Sequence, residues 1–228
     1  MAKIIITGAS SGIGAAIAEV FRNDGEHQII LLGRSVRRLI AVAEKTKGKP
    51  MVCDITKEEH VEETSRKILF EFGPPDVVVN NAGHFVAKPL VETTPSLFRQ
   101  QVEVNLTGAF MVTRALLPSM LEAGSGHVFF MASVASQQAY VGAGAYCAAK
   151  HGLLGLARVV RAETLNTGLR VTTVMPGATL TPSWDGTTLP EERFMPPRDV
   201  ARSVLDAWKI SSRTVIEEVL LRPREGDI

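Results

Sequence analysis

The sequence has little of what a secreted scaffold or a membrane protein would need. Only two cysteines, Cys53 and Cys147, occur in 228 residues. Both fall inside predicted regular elements, so no disulfide framework is expected and a reduced compartment is the simpler reading. No stretch reaches the ~20 apolar residues of a membrane span, and the run Ile4-Ile5-Ile6 is far too short for a signal-peptide core, so the protein is expected in the cytoplasm with no membrane partner. Without a secretory signal, Asn105-Leu106-Thr107 has no route to use as a glycosylation acceptor. An excess of one charge is missing too: 25 Lys and Arg stand against 24 Asp and Glu, leaving a formal net charge of +1. That balance gives no general attraction to nucleic acid, and any anion must be held by a local cluster of charge. Neither an internal repeat nor a low-complexity linker divides the chain, which implies one domain over residues 1–228.

What is present is an alternation of short β-branched runs with longer segments of helical period. Strands are predicted near 3–7, 28–32, 49–53, 76–80, 126–132, 169–175 and 214–220, and helices near 12–24, 35–47, 57–72, 96–123, 144–166 and 198–210. Each strand is followed by a crossover that returns to start a parallel neighbour. The expected fold is α/β, a Rossmann-like doubly wound parallel sheet of about seven strands with helices on both faces. Only 177–197 lacks periodicity, being interrupted by Gly177, Pro182, Gly186, Pro190, Pro196 and Pro197, and it is expected to serve as a substrate loop.

The first strand runs directly into Thr7-Gly8-Ala9-Ser10-Ser11-Gly12-Ile13-Gly14 and then into an amphipathic helix carrying Ile17, Ala18, Val20 and Phe21. Gly8 and Gly12 permit close backbone approach, Gly14 lets the helix pack near the sheet, and the helix N-terminus offers free N–H groups to a pyrophosphate. The spacing G-x-x-x-G-x-G differs from the more familiar G-x-G-x-x-G, so it is the placement between strand and helix that sets this stretch apart from an ordinary glycine turn. At the end of the second strand, Gly33-Arg34 stands where a carboxylate would suit the ribose hydroxyl of NAD. Gly33 carries no charge, while Arg34, assisted by Arg37 or Arg38, can grip a 2′-phosphate, which predicts NADP(H) over NAD(H). The competing reading is a solvated basic start to helix 35–47.

Tyr146 and Lys150 lie four residues apart and share one helix face. A tyrosine titrates near pH ~10, so it needs a nearby positive charge to act at neutral pH. On its own this pair is a weak signal. Ser133, however, leaves strand 126–132 at the carboxyl edge of the sheet, where open α/β folds bind ligands, and Asn80-Asn81-Ala82-Gly83 leaves 76–80 at the same edge. Asn105 sits at a position expected to be buried, where its amide needs partners. For Asn80, Asn81 and Asn105, structural hydrogen bonding is at least as good a reading as direct chemistry.

Together Thr7–Gly14, Asn80–Gly83, Asn105, Ser133, Tyr146, Lys150 and Pro176-Gly177 resemble the short-chain dehydrogenase/reductase family in its compact single-domain form, in order and over nearly the whole chain. The resemblance implies that Tyr146 is the general acid in reduction, that Ser133 positions the carbonyl, and that Lys150 tunes Tyr146 and binds the nicotinamide ribose. It further implies that Asn105 holds a water linking Lys150 to solvent. Cofactor contacts would come from Gly8, Ser10, Ser11, Gly12, Ile13, Gly14 and Arg34, from Asp54 at the adenine, from Asn81, Ala82 and Gly83 beside the adenosine half, and from Pro176, Gly177 and Thr179 at the nicotinamide. No metal is implied.

The substrate is less legible. His84-Phe85-Val86, Ser136 to Val141 and the loop 179–197 with Trp184 and Phe194 make a mostly apolar wall that suits a modest ketone, aldehyde or acyl-thioester carbonyl. His84 is read as structural or solvated. Two alternatives stay open: a catalytically silent NADP-binding sensor or assembly module, which the intact Ser133, Tyr146 and Lys150 argue against, and a non-redox epimerase or dehydratase, which is expected to carry a larger substrate region. Helices 96–123 and 144–166 have apolar residues on more than one face, among them Phe110, Met111, Leu116, Leu117, Leu153, Leu154 and Leu156, so packing against a second subunit is expected. The family resemblance implies a homodimer or homotetramer, and the segment 220–228 could reach a neighbouring subunit.

Overall fold

In the computed structural model, which describes residues 1–228, seven strands form one parallel sheet: β1 (Lys3–Thr7), β2 (Gln28–Gly33), β3 (Lys49–Val52), β4 (Val77–Asn80), β5 (Gly126–Met131), β6 (Leu169–Pro176) and β7 (Glu218–Leu221). The helices are α1 (Gly12–Asp24), α2 (Val36–Thr46), α3 (Glu58–Phe72), α4 (Pro95–Val102), α5 (Gly108–Ala123), α6 (Gly144–Glu163) and α7 (Pro197–Lys209). The strand order is β3-β2-β1-β4-β5-β6-β7, so the chain winds outward from β1, returns, and winds out on the other side. Connections leaving β1 and β4 therefore diverge to opposite faces, and a crevice opens between them at the carboxyl edge.

Strand alternation divides the core into two layers. Ile5, Val78, Val128 and Phe130 face Val61 and Ile68 of α3, Val112 and Leu116 of α5, and Leu153 and Ala157 of α6. Ile4, Ile6, Val79 and Phe129 face Ile17 and Phe21 of α1, Leu39 and Val42 of α2, and Val200 and Val204 of α7. Both sheet faces are thus covered, which explains why the central strands read as unbroken apolar runs. The helical run Pro95–Ala123 is long and apolar enough to cross a membrane by length and composition alone. In this fold Met111, Val112, Leu116 and Met120 of that run are part of the sheet-facing core.

Two expected elements are corrected. The helix expected over 96–123 is not uniform, because a π-helical turn, Glu103–Thr107, separates α4 from α5. The Asn105 amide Nδ2 donates to the Gln101 carbonyl at 2.9 Å and to the His84 carbonyl at 2.8 Å, competing with the helix's own ladder. The last strand starts at Glu218 rather than near 214. Before it, the carbonyl of Ile216 accepts from the Thr172 hydroxyl at 2.6 Å, and regular strand pairing begins only with Glu218 opposite Thr173. The irregular stretch 177–197 is closed on itself: Thr179 bridges to Met195, 3₁₀ turns form at Pro182–Trp184 and Glu191–Arg193, and Trp184 packs edge-on against buried Phe194 with ring centroids 4.9 Å apart.

Candidate active site

A cleft of about 730 Å³ runs along the carboxyl edge of the sheet, and every residue picked out for catalysis or cofactor binding lines it except Gly14. Gly14 lies beneath the turn, where a Cβ would stand 2.5 Å from both the Gly8 carbonyl oxygen and Asn81 Nδ2. At Gly8 the backbone has φ +65° and a Cβ would meet the Ala82 backbone at 2.7 Å. The turn is pinned from the neighbouring strand: Thr7 Oγ1 accepts the N–H groups of Asn81 and Ala82, each at 3.0 Å, and Asn81 Nδ2 donates to the Thr7 carbonyl at 2.9 Å. Ser11 begins α1 with extended backbone and no side-chain cap, which leaves the first amides of the helix available to an anion.

Along one end, Arg34 and Arg38 border the cleft after β2, while Arg37 does not. Asp54, after β3, accepts from the Thr56 backbone at 3.1 Å and the Thr56 hydroxyl at 2.8 Å. Burial works to raise its pKa, but these bonds and the nearby Arg34 charge outweigh it and hold the carboxyl below its ordinary range. Together these groups make one end of the cleft polar and charged.

At the other end, Ser133 caps a 3₁₀ turn, Val134–Ser136, whose Ala135 N–H reaches its Oγ at 3.1 Å, while Ser136 Oγ accepts the Ser133 N–H at 3.3 Å. This reciprocal box fixes where the Ser133 hydroxyl stands. Tyr146, one turn into α6, packs edge-on against Phe85 with ring centroids 5.0 Å apart. Burial pushes its phenol up to about 12, against a hydrogen bond from the Ser133 side that works to lower it. Lys150 is buried, donates from Nζ to the Met131 carbonyl at 2.8 Å and lies 5.6 Å from the centre of the Tyr146 ring. Burial brings its pKa down to about 8. In the chain by itself the Lys150 ammonium is directed at a backbone carbonyl, and removal of the Tyr146 phenol from water outweighs the Ser133 hydrogen bond. With its pKa raised, the Tyr146 phenol keeps its proton at neutral pH.

Asn105 is fully buried and works on the backbone. Besides its two donated bonds, its Oδ1 accepts the His84 N–H at 3.1 Å, so it ties the loop after β4 to the π turn. A Cβ on Gly83 would come within 2.9 Å of that Oδ1 and 3.5 Å of Lys150 Nζ, which makes glycine necessary at this contact. Asn80 donates to the Thr113 hydroxyl at 2.9 Å, away from the cleft chemistry. His84 is used through its backbone. Cys53 and Cys147 are buried free thiols.

Sequence reasoning missed several lining residues. Asp227 and Ile228 line the cleft, and nothing local in 222–228 signals it, because the segment arrives there only through the placement of β7 and the fit of Pro223 against Gly177.

A doubly wound parallel sheet with a glycine-rich phosphate turn and a Ser, Tyr and Lys gathered at one edge defines a nucleotide-binding oxidoreductase of the Rossmann type. The short chain dehydrogenase family model matches residues 2–191, and the chain belongs to that family. A protein of Chlorobaculum tepidum named sepiapterin reductase is 35% identical over 99% of this chain and 97% of its own length. Among solved structures, an alcohol dehydrogenase from the archaeon Thermococcus sibiricus complexed with 5-hydroxy-NADP is 33% identical with a TM-score of 0.91, covering 98% of this chain and 97% of that one. A metagenomic short-chain oxidoreductase in complex with NADP is 30% identical with a TM-score of 0.86, covering 97% of this chain and 96% of that one.

Proposed function

We propose that the protein is an NADP(H)-dependent oxidoreductase that interconverts the carbonyl of a ketone, aldehyde or 3-oxoacyl compound and the corresponding alcohol. The observation that carries this reading is that Ser133, Tyr146 and Lys150 share one cleft with the glycine turn. The residues fit the cofactor: Gly8 and Gly12 leave a cradle that a Cβ would obstruct, with contacts at 2.7 Å and 3.2 Å, and the uncapped start of α1 faces it. The turn from Gly8 through Ser10, Ser11, Gly12 and Ile13 would take the pyrophosphate, with Gly14 supporting it from below. Arg34 and Arg38 would take the 2′-phosphate, a group that NAD lacks, and the structural neighbours complexed with NADP or its derivative support NADP binding. Asp54 would meet the adenine, Asn81, Ala82 and Gly83 the adenosine side, Lys150 the ribose, and Pro176, Gly177 and Thr179 the nicotinamide end.

When bound, the reduced cofactor supplies a hydride to the carbonyl carbon. Tyr146 gives its phenolic proton to the carbonyl oxygen, Ser133 Oγ holds that oxygen by a hydrogen bond, and Lys150 keeps positive charge beside the phenolate that results. Asn105 acts by positioning, since its amide sets the loop that carries Gly83 against Lys150. The substrate half of the cleft is bounded by Phe85, Tyr140, Val141 and Trp184, which suits an apolar or aromatic carbonyl compound, and the loop 177–197 covers it. The free buried thiols fit a cytoplasmic setting, and exposed apolar residues on α4, α5 and α6 fit a homodimer or homotetramer.

The test is a panel of ketones, aldehydes, 3-oxoacyl thioesters and sepiapterin with NADPH, followed by loss of nicotinamide absorbance. Turnover is expected with at least one of them, and Tyr146→Phe should lower kcat by at least about 100-fold while NADPH binding stays unchanged. Wild-type turnover in that variant would overturn the mechanism. Faster turnover with NADH, or an NADPH KM unchanged in Arg34→Ala, would overturn the cofactor preference.

A further inference from the structure

After β7 the chain does not leave the molecule. Gly177 N–H donates to the Leu221 carbonyl at 2.8 Å, and a Cβ on Gly177 would come 3.1 Å from the Pro223 ring and 3.5 Å from Asp227 Oδ1. The missing side chain at 177 thus lets the segment 222–228 fold back along the cleft, which Asp227 and Ile228 line. There the Asp227 carboxylate gathers three groups on one oxygen. Oδ2 accepts from the Tyr140 hydroxyl at 2.5 Å, from Gln138 Nε2 at 2.9 Å and from the Arg222 guanidinium. Arg222 also donates to Gln138 Oε1 at 3.1 Å, and Arg193 of the loop 177–197 pairs with Glu225 at 3.5 Å.

Tyr140 matters because of what lies behind its ring. It packs with Phe85 and Tyr146 against the small patch of Ala135, Ala143 and Cys147, so one face of the wall beside the proton donor is the Tyr140 ring. Residues 137–141 have no regular structure after the Ser133 turn, and Gln137, Gln138 and Ala139 are exposed. Asp227, with the Arg222–Gln138 bond beside it, joins this strip to the segment after β7, and Asp227 is what holds the Tyr140 hydroxyl.

We propose that Asp227 is a positioning residue of the substrate site, holding Tyr140 as the wall against which a bulky apolar carbonyl compound rests. The proposal builds on the carbonyl-reductase reading. Aspartate suits the task because one charged oxygen can accept from a phenol and a guanidinium at once. Small substrates do not need the wall. The Tyr140 phenol is itself raised, first by burial and then by its bond to Asp227, which provides a readout that is independent of turnover.

The experiment compares wild type, Asp227→Ala, Tyr140→Phe and the double variant, with diacetyl as the small carbonyl probe and benzil as the bulky one. In Asp227→Ala the KM for benzil is expected to rise about tenfold, the size set by losing one charge-assisted hydrogen bond, with kcat, the diacetyl KM and NADPH affinity within twofold. Tyr140→Phe should give a similar KM, and the double variant should add little, because both substitutions cut one tether. An unchanged benzil KM, or equal rises for both probes, overturns the proposal. The chain has two tyrosines, so in a Tyr146→Phe background the phenolate absorbance reports Tyr140 alone. Adding Asp227→Ala should lower its titration midpoint, and an unmoved midpoint likewise overturns the proposal. If wild type reduces neither probe nor any other carbonyl, the reductase reading fails, whereas the Tyr140 titration still decides whether Asp227 holds the wall.

Discussion

Lys150 gives up its charge at lower pH than a solvated lysine does. Burial takes its pKa from 10.5 to about 8, and a lysine is charged below its pKa, so the ammonium is present at neutral pH and lost as pH rises through 8. Tyr146, pushed up to about 12, stays protonated over that whole range. If the proposed carbonyl reduction holds, its falling alkaline limb should therefore belong to Lys150, with kcat/KM steady near pH 6 to 7 and declining above about 8. In Lys150→Arg, whose guanidinium holds its charge above pH ~12, any residual activity should lack that limb. A pH–rate profile of the two proteins checks this, and a limb left in place in the arginine variant would assign it elsewhere. Ser133, Tyr146 and Lys150 were legible as residues because their types and spacing are tied to local elements. The direction of the Tyr146 shift was not, since it depends on what removes the phenol from water.

Within β5, His127 shows how a buried strand can carry a pH cost. It stacks on Phe129 with centroids 3.9 Å apart and shares a 2.7 Å hydrogen bond with Thr172 on β6. Burial first, and the nearby Arg170 charge second, drive its pKa from 6.5 down to about 2, so it is neutral in the fold. The unfolded chain takes up a proton below pH 6.5 that the native state refuses, and the stability present above that pH is lost as pH falls. Between pH 7 and 5 this one group should cost about 2 kcal/mol. Urea unfolding at the two pH values checks it: His127→Gln should shrink the difference by about that amount, and an identical loss in both proteins would refute the assignment. At the same scale, the helical period of 95–123 was readable, but the π turn at Glu103–Thr107 was not. One extra residue in a turn shifts the phase of the pattern without removing it, and Asn105 draws the backbone out of register only because His84 lies across from it.

For the whole molecule, the apolar surface left uncovered points to assembly. Phe98, Phe110, Leu121 and Val159 are each 38–52% exposed, on α4, α5 and α6, whose other sides already serve the core. Large apolar side chains left exposed on three helices support the proposed homo-oligomer. Light scattering should give a multiple of 24.6 kDa, and Phe110→Glu with Val159→Arg should reduce it toward the single chain. A wild-type mass equal to one chain would refute the prediction. Within its own chain the segment 220–228 is held by the bonds of Asp227 with Tyr140 and Arg222.

The alternation of apolar runs determined by itself that this chain would make a parallel, doubly covered sheet, because each strand needs two buried faces and each helix one. The glycine turn and the Tyr146–Lys150 spacing were similarly local, since a turn or a helix face is set by residues a few positions apart. Tertiary structure alone decided which groups face one another across long sequence separations. It put Asn105 on the His84 backbone, aimed Lys150 at the Met131 carbonyl and brought Asp227 to Tyr140, 87 residues away. Those contacts depend on strand order and loop closure, which no short window of sequence contains, and so does the burial that raises the Tyr146 pKa.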